Sequence, residues 1–102
     1  MVEMLQEKLE GIADLCARYG VARLDVFGSA LRDDFKLGES DIDFLVKFHA
    51  SDAYARADAY FGFLDELRAL LGVSVDLVVS GAVRNRFVAA DIERTKKVLN
   101  AA

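Results

Sequence analysis

The sequence predicts an α/β (α+β) protein, a small mixed sheet of three to four strands with helices packed on one side. Two stretches of alternating apolar residues, at 41–48 and 73–79, read as strands. Segments with helical apolar spacing alternate with them, in the order helix, strand, helix, strand, helix, strand, helix. The 102 residues suit one hydrophobic core rather than two, so residues 1–102 are expected to form a single domain.

Each element has its own signal. Residues 3–19 place Leu5, Leu9, Ile12 and Cys16 on one helical stripe, which Gly20 closes. Residues 24–27 form a short strand ending at Gly28-Ser29, a helix is expected over 30–35, and residues 36–39 make a loop. In the strand at 41–48, Ile42, Phe44, Val46 and Phe48 line one face, with Asp41, Asp43 and Lys47 on the other. A long helix over 53–71 stops at Gly72. In the strand at 73–79, Val73, Val75, Leu77 and Val79 oppose Ser74, Asp76 and Val78. A last helix is expected over 83–99, with Val88, Ile92 and Leu99 on one face and Lys96 and Lys97 at the negative end of its dipole.

Composition excludes several functions. Charged residues make up 29% of the chain and no apolar run approaches the roughly 20 residues of a membrane helix, so neither disorder nor a membrane span is expected. The first residues lack the basic-then-apolar order of a signal peptide, so a cytoplasmic location is expected. One cysteine, Cys16, rules out an internal disulfide and argues against a thiolate zinc site. A net charge of −4 argues against direct nucleic-acid binding through phosphates. The hydrophobic fraction of 54% lies above the usual apolar share, from an exposed apolar face for a partner in a hetero- or homo-oligomer, from a high alanine content, or from both.

The acids carry the chemistry. Asp41 and Asp43, two residues apart on a strand, project from one face with backbones about 7 Å apart. Like charges this close raise one another's pKa, and a divalent cation relieves the conflict. All-oxygen donors favour Mg²⁺ or Mn²⁺, completed by water and substrate phosphate. If the strands are neighbours, Asp76 joins the same face. Each piece alone has a plainer reading, a solvated strand face or an ordinary turn. Gly28-Ser29, however, ends a strand and opens a helix, where backbone N–H groups and a hydroxyl can cradle phosphate. A phosphate cradle, paired acids and a third acid on the next strand are the parts of a metal-assisted nucleotidyl-transfer site.

Val26-Phe27-Gly28-Ser29-Ala30-Leu31-Arg32, followed after a loop by Ser40-Asp41-Ile42-Asp43-Phe44-Leu45-Val46, resembles the signature of the DNA polymerase β-type nucleotidyltransferase superfamily. In size the chain is similar to its minimal members (MNT proteins), many of them antitoxins paired with HEPN-domain ribonuclease toxins. The resemblance implies a polymerase-β-like palm over nearly the whole chain. It implies that Gly28 and Ser29 hold the triphosphate and that Asp41 and Asp43 bind metal. Asp76 would be the third acid, ligating the catalytic metal and helping to deprotonate the attacking hydroxyl. Arg32 matches a frequent arginine of the motif and either contacts phosphate or pairs with an acid such as Asp33 or Asp34. Asp33 departs from the pattern, standing where many relatives have glycine, and is expected to point to solvent. The implied reaction transfers AMP from ATP, with two Mg²⁺ ions beside the bound nucleotide, to a hydroxyl. The acceptor would be a tyrosine of a HEPN toxin, making the protein the antitoxin of a type VII-like pair. The alternatives are a non-catalytic module neutralising the toxin by contact, and a catalytic subunit modifying a small molecule with help from a partner chain. His49 reads as a surface or capping residue or a reach toward the metal. Cys16 reads as core. Tyr54, Tyr60, Phe61 and Phe63 read as core, interface or a base-stacking set.

Overall fold

The computed structural model describes residues 3–32, 35–36 and 38–101. The expectations placed on Asp33 and Asp34 lie outside the described residues.

The first expected helix is two helices, α1 (Glu3–Glu7) and α2 (Leu9–Tyr19), with Lys8 between them at φ −104° and ψ 7°. The break shifts the phase of the stripe: Leu5, Ile12 and Cys16 are fully buried, while Leu9 stays partly exposed. Gly20 ends α2 and donates its N–H to the Cys16 carbonyl. Strand β1 (Val21–Phe27) is longer than the expected four residues, and the chain leaves it through a 3-10 turn, Gly28–Leu31, where a longer helix was expected. Strand β2 (Ile42–Phe48) leads to helix α3 (Ala53–Leu71), whose first turn is capped by the Asp52 carboxylate accepting from Ala55 N at 2.8 Å. Strand β3 (Val75–Val79) follows, shorter at its start than expected.

The C-terminal helix expected over 83–99 is corrected. Helix α4 covers only Arg86–Thr95, capped by the Asn85 side chain, and Lys97–Ala101 form a fourth strand, β4. Lys96 has left helical geometry, at φ −58° and ψ 151°, and the chain then lies antiparallel to β1, with Lys97 opposite Val26 and Asn100 opposite Leu24. Lys96 pairs with Glu93 at 2.7 Å, Lys97 starts the strand, and Leu99 packs against the core from β4.

The sheet order is β3-β2-β1-β4. β1 is antiparallel to both neighbours, while β2 and β3 are parallel and joined through α3. Leu24, Val26, Phe44 and Val46 face a core shared with Leu5, Ile12, Cys16, Phe63 and Leu67 from the first three helices. Each fully buried side chain of this size contributes about 1.5–3 kcal/mol. The alternate residues, Asp25, Asp43, Leu45, Asp76 and Val78, lie on the opposite face. Part of that face is covered by α4, which buries only Ile92, beside Leu45. Asp25 is buried there and accepts from Arg23 Nε at 2.9 Å and Nη2 at 3.1 Å. Among the described residues, no helix is long and apolar enough to cross a membrane.

The free edge of β3 is closed by its own fold. Ser74 and Ser80 bond to β2, so the carbonyls of the odd-numbered residues between them point outward. Val75 O accepts from Arg68 Nη2 at 3.4 Å, Leu77 O from the Tyr60 hydroxyl at 2.7 Å, and Val79 O from Ala82 N at 3.0 Å.

Candidate active site

Parallel register does what periodicity could not. It sets Asp43 directly opposite Asp76, with Asp41 two residues earlier in the chain. The end of β1 comes to the same place, because Phe27 is the partner of Asp43 and Gly28 follows it. Gly28 has φ +73°, which L side chains rarely adopt, and a Cβ built there would overlap Oδ2 of Asp43. A backbone without a side chain is therefore required where the turn meets the acid. Ser29 ties the two segments together, its hydroxyl donating to Asp41 O at 3.2 Å.

The electrostatics match this crowding. Burial, then the charges of Asp76 and Asp41, raise the Asp43 carboxyl above the ordinary aspartate range, and the nearby positive charge of Arg32 works against that rise. Arg32 is thus close enough to Asp43 to be felt by it. Asp43, Gly28 and Arg32 also line one cleft of about 580 Å³, whose far wall comes from α4 and the start of β4. Asp41 opens instead on a larger hollow beside Ser74 and Arg68.

Among the described residues, no three His, Cys, Asp or Glu side chains stand close enough to hold a metal ion by themselves. The donor set nevertheless fits a hard cation of the Mg²⁺ type, which takes one or two carboxylates and completes its octahedron with water and phosphate. A half-buried carboxylate strained by two like charges beside a phosphate-sized turn is the arrangement such an ion relieves.

A family model described as a nucleotidyltransferase domain matches residues 10–99. The chain belongs to the nucleotidyltransferase family. Its relatives include Protein adenylyltransferase MntA of Thermococcus cleftensis, 32% identical over 90 residues that cover 83% of this chain and 87% of that protein. A Methanocaldococcus jannaschii protein assigned as a protein adenylyltransferase is 38% identical over 76 residues, 74% of either chain. Among solved structures, one assigned as a minimal nucleotidyltransferase superposes with a TM-score of 0.77 at 32% identity, covering 93% of this chain and 92% of that one. The fold also matches a toxin–antitoxin structure with AMP-PNP, TM-score 0.68 at 22% identity, covering 92% of this chain and 73% of that one.

Of the six residues expected in a nucleotidyltransferase site, the structure brings Gly28, Asp43, Asp76 and Arg32 to one end of the sheet, while Asp41 precedes β2, is exposed and opens on a separate hollow. Gly28 and Ser29 meet Asp41 and Asp43 across the β1–β2 end, Asp76 stands beside Asp43, and the charge of Arg32 acts on Asp43. Other candidates lie elsewhere. His49 follows the far end of β2, six residues and about 20 Å of strand from Asp43. Cys16 is buried core, its thiol pushed up to about 11 by burial. Phe63 is core, Tyr60 serves the β3 edge, and Tyr54 and Phe61 are exposed on α3. Lys97 lines the acid cleft but had read as a helix-end lysine, so only the strand β4 reveals it.

Proposed function

We propose that this nucleotidyltransferase transfers AMP from ATP to a tyrosine hydroxyl of a HEPN toxin in the cytoplasm and so acts as its antitoxin. Residues 1–102 work as a single minimal nucleotidyltransferase domain. The observation that carries the reading is the placement of Asp43 opposite Asp76, facing the glycine turn at Gly28. The relatives support the choice of reaction: two are called protein adenylyltransferases. A chain in the structure of a tri-AMPylated Shewanella oneidensis HEPN toxin in complex with an MNT antitoxin shares the fold at 21% identity and a TM-score of 0.63.

The chain's residues divide the work. The N–H groups of the Gly28–Ser29 turn hold the triphosphate, with Arg32 offsetting its charge, while the Ser29 hydroxyl, donating to Asp41 O, fixes the turn in place. Asp41, Asp43 and Asp76 would hold the two Mg²⁺ ions that come with ATP, and those ions would supply charge stabilisation to the transferring phosphate. The acceptor oxygen forms a bond to the α-phosphorus as the bond to the β-phosphate bridge breaks, and pyrophosphate leaves. Asp76, exposed at the outer side of the acid group, takes the hydroxyl proton. No covalent enzyme intermediate is needed.

Mixing the protein with a HEPN toxin, ATP and Mg²⁺ should add AMP to a toxin tyrosine, read by intact mass and peptide mapping. An unmodified toxin would sink the proposal. A second reading, neutralisation by contact alone, draws on the exposed Tyr54, Phe61 and Phe87. It requires that Asp41→Asn with Asp43→Asn leaves toxin neutralisation intact, whereas catalysis requires its loss.

A further inference from the structure

We infer that Arg23, held rigid by the buried carboxylate of Asp25, is a positioning residue for the transfer: through Glu93 it sets α4 in place as the far wall of the acid cleft. The inference rests on the nucleotidyl-transfer reading and adds to it residues outside the motif. Among the described residues Asp25 is the one buried charged side chain, on β1 between Leu45 of β2 and Val98 of β4. A buried ion pair is often no more stable than packed apolar side chains in its place, so burial alone does not account for an acid there. What Asp25 does that an apolar residue could not is hold a guanidinium. Arg23, two residues earlier and so on the same face, gives it Nε at 2.9 Å and Nη2 at 3.1 Å. Two bonds fix the direction of the fork, while the Arg23 side chain stays half exposed.

Helix α4 needs such a guide. It lies over this face of the sheet yet buries only Ile92, which stands beside Leu45. Ile92 has open space on either side, a hollow of about 240 Å³ toward Ser80 and Val83 and the acid cleft of about 580 Å³. A helix that rests on one apolar side chain has no packing to stop it rolling about that chain. Glu93, the next residue, is the other acid whose charge acts on Arg23. The hydrogen bond to Asp25, then the charge of Asp25 and, less strongly, that of Glu93 hold the Arg23 guanidinium above its ordinary value. One apolar contact at Ile92 and one attraction at Glu93 together fix the roll of the helix. That roll decides where Val88, Asp91 and Thr95 stand across the cleft from Gly28 and Asp43. Glu93 also pairs with Lys96 at 2.7 Å, but that bond ties the end of α4 to its own chain and not to the sheet.

The test is hydrogen exchange of the full chain, read by mass spectrometry over Arg86–Thr95, beside the kinetics of AMP transfer to the toxin. Glu93→Gln, at an exposed position, should speed exchange of α4 by about two- to fivefold, the reach of one partly exposed ion pair, and leave β2 and α3 unchanged. It should raise the KM for ATP by a similar factor, with kcat within about twofold of wild type. Salt at about 0.5 M should narrow the gap between this variant and wild type. Lys96→Met keeps the apolar stem and removes only the local partner of Glu93, so exchange and KM should stay near wild type. Arg23→Lys keeps the charge but loses the fork, and should fall between wild type and Glu93→Gln. Wild-type exchange of α4 in Glu93→Gln, or equal loosening by Lys96→Met, overturns the assignment, as does a fall in kcat at unchanged KM. Arg23→Lys matching wild type in both readouts overturns the part given to Asp25. A wild-type protein that transfers no AMP overturns the underlying reading instead, and the exchange of α4 still shows whether Arg23 holds the helix, so the two failures are distinct.

Discussion

At the scale of single residues, Asp43 is where stability and activity part. Its charge is held half-buried against Asp76 and Asp41, so its folded-state pKa stands above the ordinary aspartate value of about 3.9. A group raised in this way contributes stability fully below its unfolded pKa, and the contribution is lost as pH rises through the raised folded value. At neutral pH without metal, the native state therefore carries the cost of an ionised, crowded carboxylate. Asp43→Asn removes the charge and keeps the shape. It should raise the melting temperature of the metal-free protein at pH 7 while abolishing transfer. The gain should shrink as pH falls into the acid range, where wild-type Asp43 is itself protonated. An Asn variant that melts no higher than wild type at pH 7 would show that the like charges are not in conflict.

At the scale of elements, the β3 edge of the sheet is guarded by its own fold. α3 lends Tyr60 and Arg68 to the outward carbonyls of β3, which keeps a short, Val-rich edge from pairing with other chains. Tyr60→Phe keeps the ring and deletes the hydroxyl, leaving Leu77 O without its donor. The expected cost is about 1 kcal/mol in urea unfolding, accompanied by faster aggregation in light scattering near the melting temperature. A variant as stable and as soluble as wild type would remove the edge-guarding role. Elements also mark where sequence reading succeeded. Strong alternation made β2 and β3 plain, and Gly20 and Gly72 stopped α2 and α3 where expected. β4 was hidden because Lys97–Ala101 follow a helix with no glycine or proline between, and their strand geometry comes from pairing with β1 rather than from local preference. Lys97 disappeared with it, since a lysine after a helix has an adequate electrostatic explanation of its own.

At the scale of the whole molecule, the acidic balance and the incomplete cation site belong to one device. Gly28-Ser29 and Asp41-x-Asp43 were legible as local motifs, but that Asp76 stands beside Asp43 depended on strand order and parallel register, which no local pattern encodes. Once assembled, the three acids still do not form a closed cage, so an ion must draw its other ligands from water and from phosphate. Phosphate, conversely, meets net negative charge unless the ion arrives with it. Metal and nucleotide should then bind as a pair, each supplying what the other lacks. Mg²⁺ alone, or ATP with a chelator, should leave the melting temperature nearly unchanged. Mg²⁺ with ATP at about a hundred times the dissociation constant should stabilise by about 2.7 kcal/mol, a shift of roughly 10 °C or more for a domain of this size. Removing Mg²⁺ with a chelator should reverse the shift. An equal shift with ATP in the absence of metal would mean that Arg32 and the glycine turn suffice for phosphate, and that the carboxylates serve something other than the ions that nucleotidyl transfer requires.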